Sequence, residues 1–329
     1  MKQVIDGYIP EKCETLDDFP KIKGYDFNEK FDFNNFLKSF STTGFQATNL
    51  AKAIEVIKTM RREKAKIFLA FTSNMVSSGV REVIKYLVEH KYVDVLITNA
   101  GGIEEDLMKV YKPFVLGNFD YDGGNLLGRG INATGNIFVP NDRYLYLDKE
   151  MRKFFDQVYE LQKKKGSALC TSELIYEMGK FVDNEESILY WAYKNNLPVF
   201  SPAFTDGSIG DLVLFFKQRK PDFQIDISED MTRIVNLVLH AEKTGVIALG
   251  GGSAKHYALN AQIFRDGCDY AVYVNTGEGF DGSDSGAKTN EAITWGKIKT
   301  NALQVKVHGD ATILFPLIVA ASFKKEEEN

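Results

Sequence analysis

Six short runs of β-branched and apolar residues recur along the chain, at positions 67–71, 93–97, 198–201, 246–249, 270–274 and 304–307. Runs this short and this continuously apolar are the pattern of parallel strands covered on both faces. Between them lie stretches with helical spacing, clearest at Val80, Val83, Ile84, Leu87 and Val88, which fall at i, i+3, i+4, i+7 and i+8 behind a Ser77-Ser78-Gly79 start. Strand and helix in alternation predict an α/β fold with a doubly wound, mostly parallel, Rossmann-like sheet. The charged helical stretch 149–196, with a turn at Lys163-Lys-Lys-Gly166, predicts a peripheral helical layer. Residues 1–25, which hold Pro10 and Pro20, are expected to form an extended arm, residues 26–323 a single α/β domain, and residues 324–329 a solvated tail.

The residues just after each run narrow the chemistry. Thr72-Ser73-Asn74, Thr98-Asn99-Ala100-Gly101-Gly102, the stretch from Pro202 to Asp206-Gly207, Gly250 to Ser253, Asn275-Thr276-Gly277 and His308-Gly309-Asp310 are small, polar or glycine-rich. All fall at the carboxyl ends of predicted strands, the edge at which parallel sheets bind ligands.

Composition excludes other classes. A net charge of −5 and an isoelectric point near 5.6 argue against a nucleic-acid protein and suit a cationic or small-molecule partner. Cys13, Cys170 and Cys268 are too few and too scattered for a disulfide framework or a zinc site. No stretch has the length of a signal peptide core or a membrane span, so a soluble, cytoplasmic protein is expected.

Several constellations stand out. Gly250-Gly251-Gly252 with Ser253 as helix N-cap could present backbone N–H groups to a phosphate, or form only a tight turn. Residues 72–79 offer a second, acid-free helix start. Glu104-Glu105-Asp106 are expected in a first helical turn, where they would repel a pyrophosphate and either complement the helix dipole or hold ribose hydroxyls or an amine. Asp281-Gly-Ser-Asp284 resembles a calcium loop, but Glu291 falls at position 11 rather than 12, so it is a plain turn or the acidic lip of a cation site. His256 sits at the glycine-rich junction, whereas His90, His240 and His308 lack partners at metal-ligand spacing. Lys297 is expected in a helix begun by Thr289 or Asn290, with Trp295 about 200° away around it. On residues alone, Lys297 is either a surface amine or a desolvated nucleophile.

Phe280-Asp-Gly-Ser-Asp-Ser-Gly-Ala287 followed by Glu291-Ala-Ile-Thr-Trp-Gly-Lys-Ile298 resembles the deoxyhypusine synthase family. Thr72-Ser-Asn, Ser77-Ser-Gly, Ala100-Gly-Gly-Ile-Glu-Glu-Asp106, Phe200-Ser-Pro-Ala-Phe-Thr-Asp-Gly207, Leu249-Gly-Gly-Gly252 and Lys255-His256 continue the resemblance in order, from about Gly24 to Phe323. The resemblance implies an NAD-binding catalytic domain that oxidises spermidine, releases 1,3-diaminopropane and passes a butylimine through an enzyme lysine to a lysine of eukaryotic initiation factor 5A. Lys297 matches that lysine, and His256 a residue placed to move a proton beside the reacting amine. Ser73, Asn74, Ser77, Asn99, Ala100, Gly101 and Glu105 match cofactor positions, as do Asp206, Gly251, Thr276, Gly277, Asp310 and Ala311. Glu104, Asp211, Gly282, Ser283, Asp284, Glu291 and Trp295 match positions around the polyamine, where carboxylates and an aromatic face suit a multiply charged amine.

A homotetramer with shared active sites is implied as well. The sequence departs from the family at Asn99, where threonine is usual, at Asn275-Thr-Gly-Glu-Gly279, and in a shorter N-terminal arm. Three alternatives stay open: a homospermidine synthase that uses putrescine as acceptor, a catalytically inactive regulatory paralogue, and a plain NAD dehydrogenase, which would leave the nucleophilic lysine without a role.

Overall fold

The computed structural model describes residues 14–324. Cys13, the first half of the expected arm and nearly all of the expected tail lie outside the described residues. In chain order the strands are β1 (Lys66–Phe71), β2 (Val95–Thr98), β3 (Val115–Leu116), β4 (Ile131–Thr134), β5 (Ile137–Pro140), β6 (Leu169–Cys170), β7 (Val199–Phe200), β8 (Ile225–Asp226), β9 (Thr244–Leu249), β10 (Cys268–Asn275) and β11 (Ile298–His308).

The main sheet runs β11-β10-β9-β1-β2-β7, with every neighbouring pair parallel. Taking these strands alone in chain order, this is the arrangement of the dinucleotide-binding folds, with its topological switch point between β1 and β9. Each of the six expected runs forms a strand of this sheet. Two smaller elements, the antiparallel sheet β3-β5-β4 and the pair β6-β8, were not anticipated.

Strand alternation sorts the core into two layers. Ile67, Leu69 and Phe71 of β1 enter the larger core, and Phe68 and Ala70 the smaller one on the opposite face. The larger core takes side chains from helices Phe45–Arg62, Val80–Glu89, Ala100–Tyr111 and Ala311–Ser322. The expected helical layer is present as Asp142–Lys165, Thr171–Val182 and Ile188–Lys194. It sends Phe154, Phe155, Leu174 and Met178 into the same core. Its first helix ends where Gly166 adopts φ +73°, a left-handed conformation that costs glycine little. The smaller core is closed by helices Glu229–Leu239 and Gly252–Gln262.

Two strand boundaries differ from expectation for visible reasons. β2 begins at Val95 because the Asp94 carboxylate accepts the Ile67 N–H at 2.7 Å, taking a donor that a strand residue would otherwise use. β11 begins at Ile298, well before 304. Cys268 pairs with Ile298 but Tyr270 with Leu303, so the intervening polar residues bow out of register. Among the described residues no helix is long and apolar enough to cross a membrane.

Candidate active site

The ends of β1 and β9 face each other across the switch point with little between them. Gly250 has φ +84°, and a Cβ there would lie 2.6 Å from Thr72 Oγ1. A Cβ on Gly251 would lie 2.4 Å from Ser285 Cα, and one on Gly101 2.7 Å from Ser73 Cβ. Glycine is what lets three backbone segments converge here. Helix Gly252–Gln262 starts at Gly251 rather than at the expected Ser253, and neither it nor helix Ala100–Tyr111 has a side-chain cap. Their first N–H groups can therefore serve an anion. Asn275 ties the edge together, donating to Gly250 O at 3.2 Å and accepting the Gly277 N–H at 3.1 Å. At the end of β11, Asp310 caps helix Ala311–Ser322 through the Thr312 N–H at 2.8 Å.

The acids after β2 do not stand in a first helical turn. The helix begins at Ala100, which moves Glu104, Glu105 and Asp106 into its second turn and gives them different tasks. Asp106 is fully buried and structural. It accepts from Arg81 Nε at 2.8 Å, Ser187 Oγ at 2.6 Å, and the Ile188 and Leu189 N–H groups at 3.1 and 3.2 Å. Glu104 accepts the Ile209 N–H at 2.8 Å, and so caps helix Ser208–Arg219, whose first turn carries Asp211. Burial pushes its carboxyl above the usual range, and Asp211 and Asp206 push the same way, against the bonds from Ile209 and Ser208. Glu105 receives the Ser77 hydroxyl. Burial raises its pKa to about 7, a shift that the Ser77 bond opposes and the Glu104 charge reinforces.

Beyond β10 the chain forms a loop over the glycine turn. It carries Thr276, Gly277, Gly282, Ser283 and Asp284. Asp284 Oδ1 lies 3.3 Å from His256 Nδ1, and Asn260 Nδ2 lies 2.9 Å from His256 Nε2. An amide that donates to Nε2 leaves the neutral ring with its proton on Nδ1, directed at Asp284. The Asp281 side chain is used locally, accepting the Ser283 N–H at 2.8 Å. Among the described residues no His, Cys, Asp or Glu cluster could hold a metal ion.

Lys297 is not on a helix. Helix Thr289–Thr294 stops at Trp295, because Gly296 takes φ +68° and the chain reverses. The Gly296 N–H bonds Ile293 O and the Lys297 N–H bonds Ala292 O, both at 2.9 Å, which is the Schellman pattern. The reversal overturns the expected angular separation: Lys297 Nζ stands 6.0 Å from the centroid of the Trp295 ring. Lys297 O accepts the Cys268 N–H at 3.0 Å, so its main chain sits beside the first residue of β10, at the end of the strand opposite Asn275.

Sequence reasoning gave no role to Lys255 or Lys306. Lys255 is 2% exposed, and its ammonium lies 4.7 Å from the Tyr273 centroid. Burial lowers its pKa, Asp284 and Glu291 oppose this, and Lys306 and Lys297 add to the lowering, so these groups share one electrostatic field. A lysine inside a strand as apolar as residues 304–307 is the signal that could have found Lys306. The candidate acids around the polyamine thus fall into two groups, Glu104 and Asp211, with Asp206 nearby, after β2 and β7, and Asp284 and Glu291 after β10. Among the described residues no hydrogen bond or ion pair joins one group to the other. A cavity of about 860 Å³ lies elsewhere, lined by residues such as Leu161, Leu169, Tyr176 and Leu197, and none of the candidate side chains lines it.

A Rossmann-type sheet whose carboxyl edge gathers uncapped helix starts, buried acids, His256 and the buried Lys255 defines an α/β enzyme. The deoxyhypusine synthase family profile matches residues 35–322, and the chain belongs to that family. It is 45% identical to a probable deoxyhypusine synthase of Dictyostelium discoideum, over 97% of this chain and 90% of that protein. It is 47% identical to the deoxyhypusine synthase of Senecio vernalis, over 94% and 90%, and 44% identical to a probable deoxyhypusine synthase of Pyrococcus furiosus, over 97% and 98%. A solved structure from Entamoeba histolytica, provisionally assigned to the same enzyme, superposes with a TM-score of 0.66 at 30% identity, covering 92% of this chain and 96% of that one.

Proposed function

We propose that this chain transfers the 4-aminobutyl group of spermidine to one lysine of the eukaryotic initiation factor 5A precursor, with NAD as cofactor and an imine on Lys297 as the intermediate. The observation that carries this is the turn at Gly296, which sets the Lys297 amine 6.0 Å from the Trp295 ring centroid, directly after the helix that carries Glu291 in its first turn. A nucleophilic amine beside an aromatic face and carboxylates suits a polycation better than a neutral substrate.

The switch-point crevice fits a dinucleotide. Gly250, Gly251 and Gly101 allow close backbone approach, and Ser73, Asn74, Ser77, Asn99, Ala100, Glu105 and Asp206 stand around it, with Thr276, Gly277, Asp310 and Ala311 further along the same edge. When bound, NAD would supply a hydride acceptor for the butyl carbon of spermidine and a hydride donor at the end, so the reaction would involve no net redox change. Lys297 Nζ, as the free amine, adds to the resulting C=N carbon, and the bond to the three-carbon amine breaks to release 1,3-diaminopropane. The acceptor lysine then attacks the imine carbon held on Lys297 and frees the enzyme amine. His256 is placed to exchange the proton that these additions and departures move, with Asp284 orienting its Nδ1 side. Gly282, Ser283 and Glu291 complete this side of the polyamine, and Glu104 and Asp211, which belong to the separate acid group, would complete it across a site shared between copies.

Trp295 is 65% exposed and Phe280 95% exposed in the single chain. Two large aromatic side chains left this exposed support a homotetramer with shared sites, in which a second copy would cover them, and sedimentation at assay concentration tests it. The activity is tested by incubating the protein with NAD, spermidine and the factor. The factor should gain one aminobutyl unit by intact mass. Lys297→Ala and Lys297→Arg should give no gain while still binding NAD, because arginine offers no neutral amine. Full modification by the arginine variant would reject the covalent step, and preferential labelling of putrescine would point to homospermidine synthesis instead.

A further inference from the structure

The loop between β10 and helix Thr289–Thr294 is closed at its neck by backbone packed on backbone. A Cβ on Gly286 would lie 1.5 Å from Glu278 O, and one on Gly277 2.8 Å from Ser285 C. Carbonyl oxygens are thereby crowded together, and two lysines from opposite flanks end among them. Lys306, from β11, donates to Gly277 O at 2.7 Å and to Gly286 O at 2.6 Å, one carbonyl on each limb of the loop. Lys255, from helix Gly252–Gln262, donates to Asp284 O and to Ala287 O, the latter at 3.5 Å. Burial pushes both ammonium groups toward the neutral form, so neither is an ordinary solvated surface charge.

We propose that Lys306 and Lys255 are positioning residues that stake the 277–287 loop, holding the Asp284 carboxylate toward His256 and the polyamine. An ammonium suits this task because it has three donors and no acceptor, and can bridge carbonyls that would otherwise repel one another. Lys306 acts through the loop it fastens, and Lys255 acts both through the loop and directly, with its ammonium 3.8 Å from Asp284 Oδ2. The inference rests on the proposed role of Asp284 as a spermidine ligand, and its test separates the two.

Lys306→Met and Lys255→Met keep most of the side-chain bulk and remove the donors. With NAD saturating, both should raise the KM for spermidine about tenfold or more, the order expected for a loosened charge-assisted contact, with kcat changing less than about threefold. Lys306→Arg, which still donates, should recover part of the loss. Amide hydrogen exchange across residues 277–287 should quicken in both methionine variants, while β1 and β9 stay as protected as in the parent protein. Unchanged exchange in that loop overturns the staking. Faster exchange with an unchanged KM overturns the link to Asp284. If the parent protein does not consume spermidine at all, the proposed function fails, and the exchange result still decides whether the two lysines fasten the loop.

Discussion

Lys297 and Trp295 meet because the chain reverses between them at Gly296, which places the amine 6.0 Å from the indole centroid. A cation–π contact at an exposed ring contributes only about 0.5–1 kcal/mol, so the ring orients the amine more than it anchors it. The position of Lys297 is therefore set by the turn.

Gly296→Ala tests that dependence. Nothing lies within 4 Å of the added Cβ, so the only penalty is the left-handed φ, on the order of 1 kcal/mol. The variant should fold with slightly reduced resistance to urea and lose at least about tenfold in single-turnover transfer, since a displaced nucleophile is costly. Gly296→Asn, which tolerates the conformation better, should lose less. Parent-like transfer by the alanine variant would show that the turn does not position the amine.

If Asp284 and Glu291 hold the polyamine, neutralising either should weaken spermidine and spare the dinucleotide. Desolvated charge-assisted contacts contribute roughly 1.5–3 kcal/mol, so Asp284→Asn and Glu291→Gln should lose about ten- to a hundredfold in spermidine affinity. Calorimetric titration with spermidine and with NAD separates the two effects. Unchanged spermidine affinity in both variants would make these carboxylates ordinary loop acids.

Glu105 makes stability depend on pH. Its folded pKa is raised from 4.5 to about 7, chiefly by burial. Above pH 4.5 the unfolded chain releases this proton while the folded chain keeps it, so the group erodes stability as pH rises to about 7, and the loss levels off beyond. Glu105→Gln removes the effect and can still accept from Ser77. Relative to the parent it should gain stability at pH 8, with an upper bound on the order of 3 kcal/mol, and gain little at pH 4.5. Urea unfolding at the two pH values measures the difference, and a gain that is the same at both would refute the assignment.

Asp106 should behave unlike its two neighbours in sequence. Its carboxylate joins Arg81 to the start of helix Ile188–Lys194 with no exposure to water. Asp106→Ala strands the Arg81 charge and should cost about 3–5 kcal/mol, enough to cripple folding. Arg81→Met with Asp106→Leu should recover much of that, as replacement of buried ion pairs by apolar side chains often does. A double variant no better than the single one would mean that the other bonds of Asp106 dominate.

The sheet was legible because its signal is local: a short apolar run followed by glycine or a small polar residue is written in consecutive positions. The strand-end junctions came with it, since the carboxyl edge is a property of the topology, whereas the individual cofactor-side candidates rested on the family resemblance. The Lys297 turn was missed because apolar periodicity cannot see a left-handed glycine, although Trp295-Gly296 was itself a helix-stop signal. The Asp106–Arg81 pair and the Lys255 and Lys306 contacts join residues far apart in sequence, so no spacing rule reaches them. β3, β4 and β5 escaped because residues 115–140 alternate weakly and are largely exposed.

The absence of a side chain at Gly251 lets Ser285 rest directly on the turn at the end of β9. Whatever occupies that turn therefore leans on the same backbone that presents Asp284. Any coupling between two ligands on opposite sides of one such contact is reciprocal: if the first changes the affinity of the second by some factor, the second must change that of the first by the same factor. Order of addition can then alter how fast the ternary complex assembles, but not how stable it is.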